Sequence, residues 1–187
     1  MYKGIMIMKK QSKLFLLIFL LLLTLTIPAF ADNTFHNISG EVFFSPNGGC
    51  TEAIVNEISH AKSEIYVQAY SFTSAPIAKA LVDAHKRGIK VEVILDKSQK
   101  KEKYTSATFL NNAGIPTYID DKHAIAHNKI MIIDKEIVIT GSFNFTKAAE
   151  EKNAENLLII KSKELAKNYI ENWDNHMKHS EDYHGRN

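Results

Sequence analysis

Apolar positions change their period several times along the chain, and each change marks an element. Glu41-Val-Phe-Phe44 predicts a short strand, and Ser45-Pro46-Asn47-Gly48-Gly49 a loop. Ile54, Val55, Ile58 and Ala61 then recur at helical spacing, with Thr51 as the expected N-cap. Ser63 to Phe72 alternates and is rich in aromatics, as a central strand would be. Pro76 opens a second helix through Ile77, Leu81 and His85, and Gly88 ends it. Ile89 to Leu95 predicts the next strand. Strand, helix and strand in that order make a βαβ unit, with a right-handed crossover and a parallel pair. Thr105 to Asn112 predicts a short helix, and Ile115 to Ile119 and Asn156 to Lys161 predict strands. Leu165, Tyr169, Trp173 and Met177 recur every four residues on a final helix, a stripe that reads as core packing.

The first 31 residues stand apart from this pattern. Lys3, Lys9, Lys10 and Lys13 precede an almost unbroken apolar run from Leu14 to Ile27, and Pro28 and Ala29-Phe30-Ala31 follow it. A basic start, an apolar stretch and a small-x-small site predict a secretory signal peptide cleaved after Ala31, and hence a secreted or periplasmic protein. The alternative is an uncleaved membrane anchor, but the run is shorter than the ~20 residues of a spanning helix. Removing the leader changes the charge. Its four lysines come off a total of 23 basic residues, leaving 19 against 21 acidic ones in residues 32–187, a net of −2. No global basic field marks a nucleic-acid partner, so any anion binding must be local. Cys50 is the only cysteine, which excludes an intramolecular disulfide and reads as a small buried hydrophobe.

The chemistry gathers in residues 123 to 160. Lys129-Ile-Met-Ile-Ile133 and Ile137-Val-Ile-Thr140 predict two strands joined by a tight turn at Asp134-Lys135. His127 and Lys129 are two apart, so an extended chain points both to one face. The returning strand brings Gly141, Ser142 and Asn144 back near that end. Glycine allows close backbone approach, and Ser142 and Asn144 add neutral donors. One imidazole, one ammonium and several neutral donors suit an anionic phosphoryl group. The imidazole can serve as nucleophile or proton carrier, while the ammonium and amide hold the non-bridging oxygens.

Two further clusters carry charge. Lys97-Ser-Gln-Lys-Lys-Glu-Lys103 follows a strand. Such a run reads as a solvated, mobile loop, or else as a loop that tracks phosphates from the C-terminal edge of the sheet. His176, His179 and His184 lie near Asp182 at the C-terminus and read as solvated tail residues, since no cysteine ligand joins them. His123 and His127 are four apart, but an extended segment would not stack them as a helix would. No metal site and no cofactor is expected.

His127-x-Lys129, Asp134 and Gly141-Ser-x-Asn144 resemble the HKD motif of the phospholipase D superfamily. Gly-Ser-Phe-Asn-Phe-Thr-Lys-Ala-Ala-Glu150, with Lys152-Asn153 and Glu155-Asn156 after it, is similar to the small bacterial Nuc-type endonucleases. The resemblance covers roughly residues 40 to 183. It implies an α/β fold, with a mixed, largely parallel sheet flanked by helices on both faces in a single domain over residues 32–187. It also implies a catalytic set of His127, Lys129, Asp134 and Glu155, with Lys129, Ser142 and Asn144 on the phosphate. Within that set Asp134 sits at the turn and is expected to brace the motif, and Glu155 to bond the far nitrogen of His127. One imidazole cannot attack phosphorus and also protonate the leaving group across from it. Single-motif members of the family pair, so a homodimer with a shared active site is implied, His127 of each subunit taking one role. The substrate expected from the resemblance is nucleic acid, cut without an obligate metal and with little sequence preference. The alternative is a phospholipid, whose head group would be released. A binding module with a dead site is a third class, against which the intact His127 and Lys129 argue.

Overall fold

The computed structural model describes residues 36, 38–102 and 105–185. The expected leader lies outside the described residues, and so does Lys103 of the basic run. In chain order the elements are β1 (Ser39–Ser45), α1 (Cys50–His60), β2 (Glu64–Ala69), α2 (Ala75–Lys86) and β3 (Lys90–Asp96). A 3-10 turn (Lys97–Lys100), α3 (Ser106–Asn112) and β4 (Thr117–Asp120) follow. The chain continues through β5 (Lys129–Ile133), β6 (Ile137–Gly141), α4 (Lys147–Glu151), β7 (Glu155–Lys161), α5 (Lys163–Met177) and β8 (Glu181–Asp182).

All eight strands join one sheet in the order β1-β7-β6-β5-β2-β3-β4-β8. β2 lies inside it, paired in parallel with β3 and antiparallel with β5. The fold is mixed α/β as the sequence predicts, but its balance is different. Parallel pairing is confined to β2–β3 and β3–β4, and the other five pairings are antiparallel. The predicted βαβ unit is there. Antiparallel pairs outnumber it because, besides the β5–β6 hairpin, β7 enters between β1 and β6, β5 pairs with β2 and β8 pairs with β4.

Alternation along the strands divides the core between the two faces. Ile65, Val67, Met131, Ile133, Ile139 and Ile159 join the core that includes Ile54, Ile58, Ile77, Leu81 and Leu110 of α1, α2 and α3. Tyr66, Ile94, Ile130, Ile132 and Val138 pack on the opposite face with Leu165, Tyr169, Trp173 and Met177, so the helical stripe is core. Trp173 anchors it, with its ring 4.8 Å from Tyr66 and its indole N–H donating to Val67 O at 3.3 Å.

Two local expectations shift. α1 starts two residues earlier than expected, and Gly49 (φ 79°) is its N-cap in place of Thr51. The carboxylate of Glu150 takes the side-chain cap's part, accepting from the backbone N–H of Gly49 at 3.1 Å and of Thr51 at 2.7 Å. The free Cys50 beside it is fully buried, as expected, and burial, then the charge of Glu150, pushes its thiol up to about 11.

Candidate active site

β5 begins at Lys129, and its register with β2 sets Lys129 beside Ala69. The N–H of Tyr70, just past β2, donates to Asn128 O at 2.8 Å. On the other side, Asp96 at the end of β3 accepts from Ala126 N–H at 2.7 Å. Residues 126 to 129 are thus held between the ends of two buried strands. His127 is exposed there, and its ring lies 4.7 Å from the ring of Tyr70.

Lys129 is 7% exposed. Its ammonium donates to His127 O at 2.9 Å and sits 5.0 Å over the Tyr70 ring. Burial pulls its pKa down, and Glu155 offsets part of that shift. A desolvated ammonium with no ion pair among the described residues is a strong attractor for an incoming anion. Tyr70 joins the imidazole and the ammonium, and sequence reasoning did not single it out. The available signal was its place at the C-terminal end of a central strand, the edge where α/β sheets put ligands.

The returning strand closes the other side. Gly141 has φ 147°, and a Cβ there would lie 2.2 Å from Asn156 O, so β7 approaches too closely for any side chain. The N–H groups of Ser142 and Phe143 donate to that same oxygen at 3.1 and 3.2 Å. Ser142 Oγ accepts from Asn156 N–H at 3.1 Å and keeps its own O–H proton to donate. Phe145 O accepts from Thr73 and Ser74 N–H, both at 2.9 Å, which locks this segment onto the chain beyond Tyr70. Asn144 Oδ1 is buried without a hydrogen-bond partner among the described residues. An unpaired side-chain carbonyl oxygen at such a place is an acceptor held ready for a donor, such as a water or a hydroxyl.

The family model described as Cardiolipin synthase, PLD-like domain matches residues 54–177, which take in most of both cores and the whole site. The chain belongs to the phospholipase D superfamily. It is 50% identical over 132 residues to a phospholipase D of Rickettsia conorii, a match covering 71% of this chain and 66% of that protein. It thus spans just under two thirds of the length of that curated relative. Among solved structures it resembles a phospholipase D family member, Nuc from Salmonella typhimurium, at 38% identity and a TM-score of 0.76. That match covers 80% of this chain and 99% of Nuc. NucT from Helicobacter pylori is 25% identical, with a TM-score of 0.72, over 78% of this chain and 99% of NucT.

Not every residue of the superfamily pattern meets at the site. Asp134 lies five residues along β5 from Lys129, about 17 Å away on an extended strand. It forms the hairpin turn with Lys135, at φ 53° and 56°. Its carboxylate accepts from the N–H groups of Lys62, Ser63 and Glu64 and from Ser63 Oγ, at 2.8–3.2 Å. Burial raises its pKa, but these donors outweigh burial and hold it below the ordinary carboxylate value. Asp134 is therefore a brace for the α1–β2 connection, remote from the chemistry its motif suggests. Glu155 opens β7 and accepts from Asn153 Nδ2 at 3.1 Å. No hydrogen bond joins Glu155 to His127 among the described residues, but its carboxylate is near enough to raise the pKa of Lys129 against burial.

The C-terminal histidines also differ from expectation. His176 and His179 are not solvated tail residues. α5 crosses the sheet and delivers them to Asp120, at the end of β4, where His123 arrives from the β4–β5 loop. His184 is exposed and takes no part, as is Asp182. The basic run is tied down as well. Residues 97–100 form a 3-10 turn around the fully buried Gln99. Lys97 Nζ donates to His123 O at 2.9 Å, and Lys100 pairs with Glu181 at 3.0 Å.

Proposed function

We propose that the chain hydrolyses phosphodiester bonds through a phosphohistidine at His127, with nucleic acid as substrate and no metal in the chemical step. The observation that carries this is the buried ammonium of Lys129, without an ion pair among the described residues, which shares the Tyr70 ring with the exposed His127 imidazole. A bound phosphoryl group would give the desolvated charge of Lys129 its counter-charge, while the Asn144 Nδ2–H group can donate to a non-bridging oxygen. The His127 lone pair forms a bond to phosphorus as the bond to the leaving oxygen breaks. A second imidazole on the opposite side gives its proton to that oxygen. The same imidazole then takes a proton from water, whose oxygen attacks phosphorus and releases His127. Lys129 and Asn144 hold the non-bridging oxygens throughout.

The second imidazole is His127 of another copy, in a homodimer with one shared site. Support comes from the sheet face that α5 leaves bare. Val42, Phe44 and Leu158 are exposed on β1 and β7, and Phe44 pairs in register with Asn156, which bonds Ser142. An apolar strip adjoining the site is suited to an isologous interface. For the leader, the proposal is export with cleavage after Ala31, which N-terminal sequencing of the mature protein checks by finding Asp32 first.

Nucleic acid is favoured by the Gly141–Glu150 run and by near-complete coverage of Nuc and NucT. Phospholipid is the second reading, favoured by one observation. A groove of about 550 Å³ between α2 and α3, lined by Ala78, Val82 and the half-exposed Phe109, runs to Thr73, which bonds Phe145 next to Asn144. The test is plasmid nicking beside head-group release from phospholipid vesicles, both in excess EDTA, with His127→Ala as control. Nicking in EDTA by wild type alone supports the proposal. Head-group release without nicking would replace the substrate. Loss of all activity in EDTA below the melting temperature, restored by a metal, would overturn the mechanism.

A further inference from the structure

Outside the active site, one cluster of side chains has the composition of a ligand set. Asp120 is fully buried at the C-terminal end of β4. His123 follows three residues later, and His176 and His179 are likewise three apart, in the last turn of α5 and just beyond it. The turn that follows α5, closed by His179 N–H donating to His176 O at 3.3 Å, keeps the two imidazoles on one side. Asp120 Oδ2 lies 2.7 Å from His176 Nδ1 and 2.9 Å from His123 Nδ1, and Oδ1 lies 3.4 Å from His179 Nε2. The ring centroids of the three histidines are 4.8, 5.1 and 5.5 Å apart.

Two features fit poorly with a hydrogen-bonded cluster alone. His179 Nε2 is buried and has no aligned hydrogen-bond partner among the described residues, although a carboxylate oxygen is near. Three imidazoles also crowd one carboxylate. Its two oxygens are shared among three ring nitrogens, at 2.7, 2.9 and 3.4 Å. Three neutral imidazoles and one carboxylate around a dication give about +1, and every inward nitrogen then has a bond.

We propose that Asp120, His123, His176 and His179 form a four-ligand site for a borderline divalent cation of the zinc class. One ligand atom from each residue lies within 4.8 Å of the others. A tetrahedral zinc, with bonds of about 2.0–2.1 Å, wants them roughly 3.4 Å apart. The widest pair has to close by about 1.4 Å and the 2.7 and 2.9 Å contacts to open by about 0.5–0.7 Å, within reach of side-chain rotations. Three nitrogens and one oxygen suit zinc, cobalt or nickel and exclude magnesium and calcium, which need mostly oxygen ligands. Four protein ligands leave no open position, so the site is structural and not catalytic. Lys97 Nζ on His123 O and Ser180 Oγ on His176 O, both at 2.9 Å, steady the backbone behind two of the ligands.

The position gives the site a purpose. Asp120 pairs in register with Asp96, which holds Ala126. A metal would therefore clamp the near end of the 121–128 loop to α5, while Asp96 fixes the far end next to His127. This last role rests on the reading of His127 as nucleophile; metal binding does not.

The test uses the mature chain without a polyhistidine tag, stripped with a chelator that is then removed. Zinc sulfate is added while calorimetry follows binding and a thermal melt follows stability. One zinc per chain is expected. At zinc a hundredfold above Kd, Tm should rise by roughly 5–10 °C. Cobalt should give the visible bands of a tetrahedral ion, a readout that needs no variant. His179→Ala should melt near wild type in chelator, since that ring makes no aligned bond, yet lose the zinc-induced rise. His184→Ala should keep it. Wild type that shows neither zinc-induced stabilisation nor tetrahedral cobalt bands would overturn the proposal and leave a hydrogen-bonded clasp. No substrate enters these measurements, so they stand or fall separately from the phosphodiesterase reading.

Discussion

Replacing Lys129 with methionine separates function from fold at one position. The side chain is 7% exposed and unbranched, and methionine fills nearly the same space, so packing is largely kept. What disappears is the ammonium. It makes one hydrogen bond, to the carbonyl of the exposed His127, which water can replace; such a bond contributes about 1 kcal/mol net. In the opposite sense, the variant removes a charge whose burial lowers its pKa from 10.5. A lysine with a depressed folded pKa destabilises the fold at neutral pH. That penalty fades as pH rises from the folded pKa through the unfolded value of about 10.4. The two effects oppose each other, and the lost hydrogen bond alone, about 1 kcal/mol, would move Tm by no more than about 4 °C for a chain of this size. Loss of a charge-stabilising donor at the phosphoryl oxygens should lower kcat about 10²- to 10³-fold. The assay is hydrolysis of bis(p-nitrophenyl) phosphate beside a thermal melt at neutral pH and near pH 10. Any stability advantage of the methionine variant should shrink at the higher pH. Activity within tenfold of wild type would refute the clamp role, and a Tm fall well beyond 10 °C would show that the ammonium is chiefly structural.

A wild-type/His127→Ala heterodimer, isolated with two tags, should be down at least about 10²-fold, because it lacks either the nucleophile or the general acid; half of wild-type activity would mean independent sites. Asp134→Ala should cost about 2–3 kcal/mol by stranding its donors, a Tm drop of roughly 5–10 °C, with kcat nearly unchanged at temperatures where it is folded. Its lowered pKa means that the stabilisation is present above the unfolded value of about 3.9 and is lost as pH falls through the folded one, so the wild-type advantage should vanish in acid melts. Lys97→Ala with Lys100→Ala should barely flatten the salt dependence of nucleic-acid binding, since both ammoniums are already engaged; a slope reduced by about two would show that they contact phosphates.

Much of the fold is written in local pattern. The period-2 run of β2, the hairpin around Asp134-Lys135, the βαβ unit and the four-residue stripe of α5 all follow from neighbouring residues and the geometry of one element. The same holds for His127 and Lys129, whose spacing on one short segment decides that they meet. Gly141 is legible for the same reason, because the strand that carries it is only a turn away. Beyond that range the chain has no local mark. The antiparallel lean of the sheet depends on β7 slotting between β1 and β6, a pairing that crosses more than 100 residues between Ser45 and Glu155. Tyr70 reaches His127 only because β2 and β5 are neighbours. Asp120 and His176, 56 residues apart, share a hydrogen bond because α5 lies across the sheet and ends over β4. Asp134 is the reverse case: it sits inside the motif, yet the length of β5 carries it to the opposite end of the sheet. Periodicity reports which face a residue takes on its own element, whereas the groups facing it are set by strand order and helix packing, and these are properties of the whole chain.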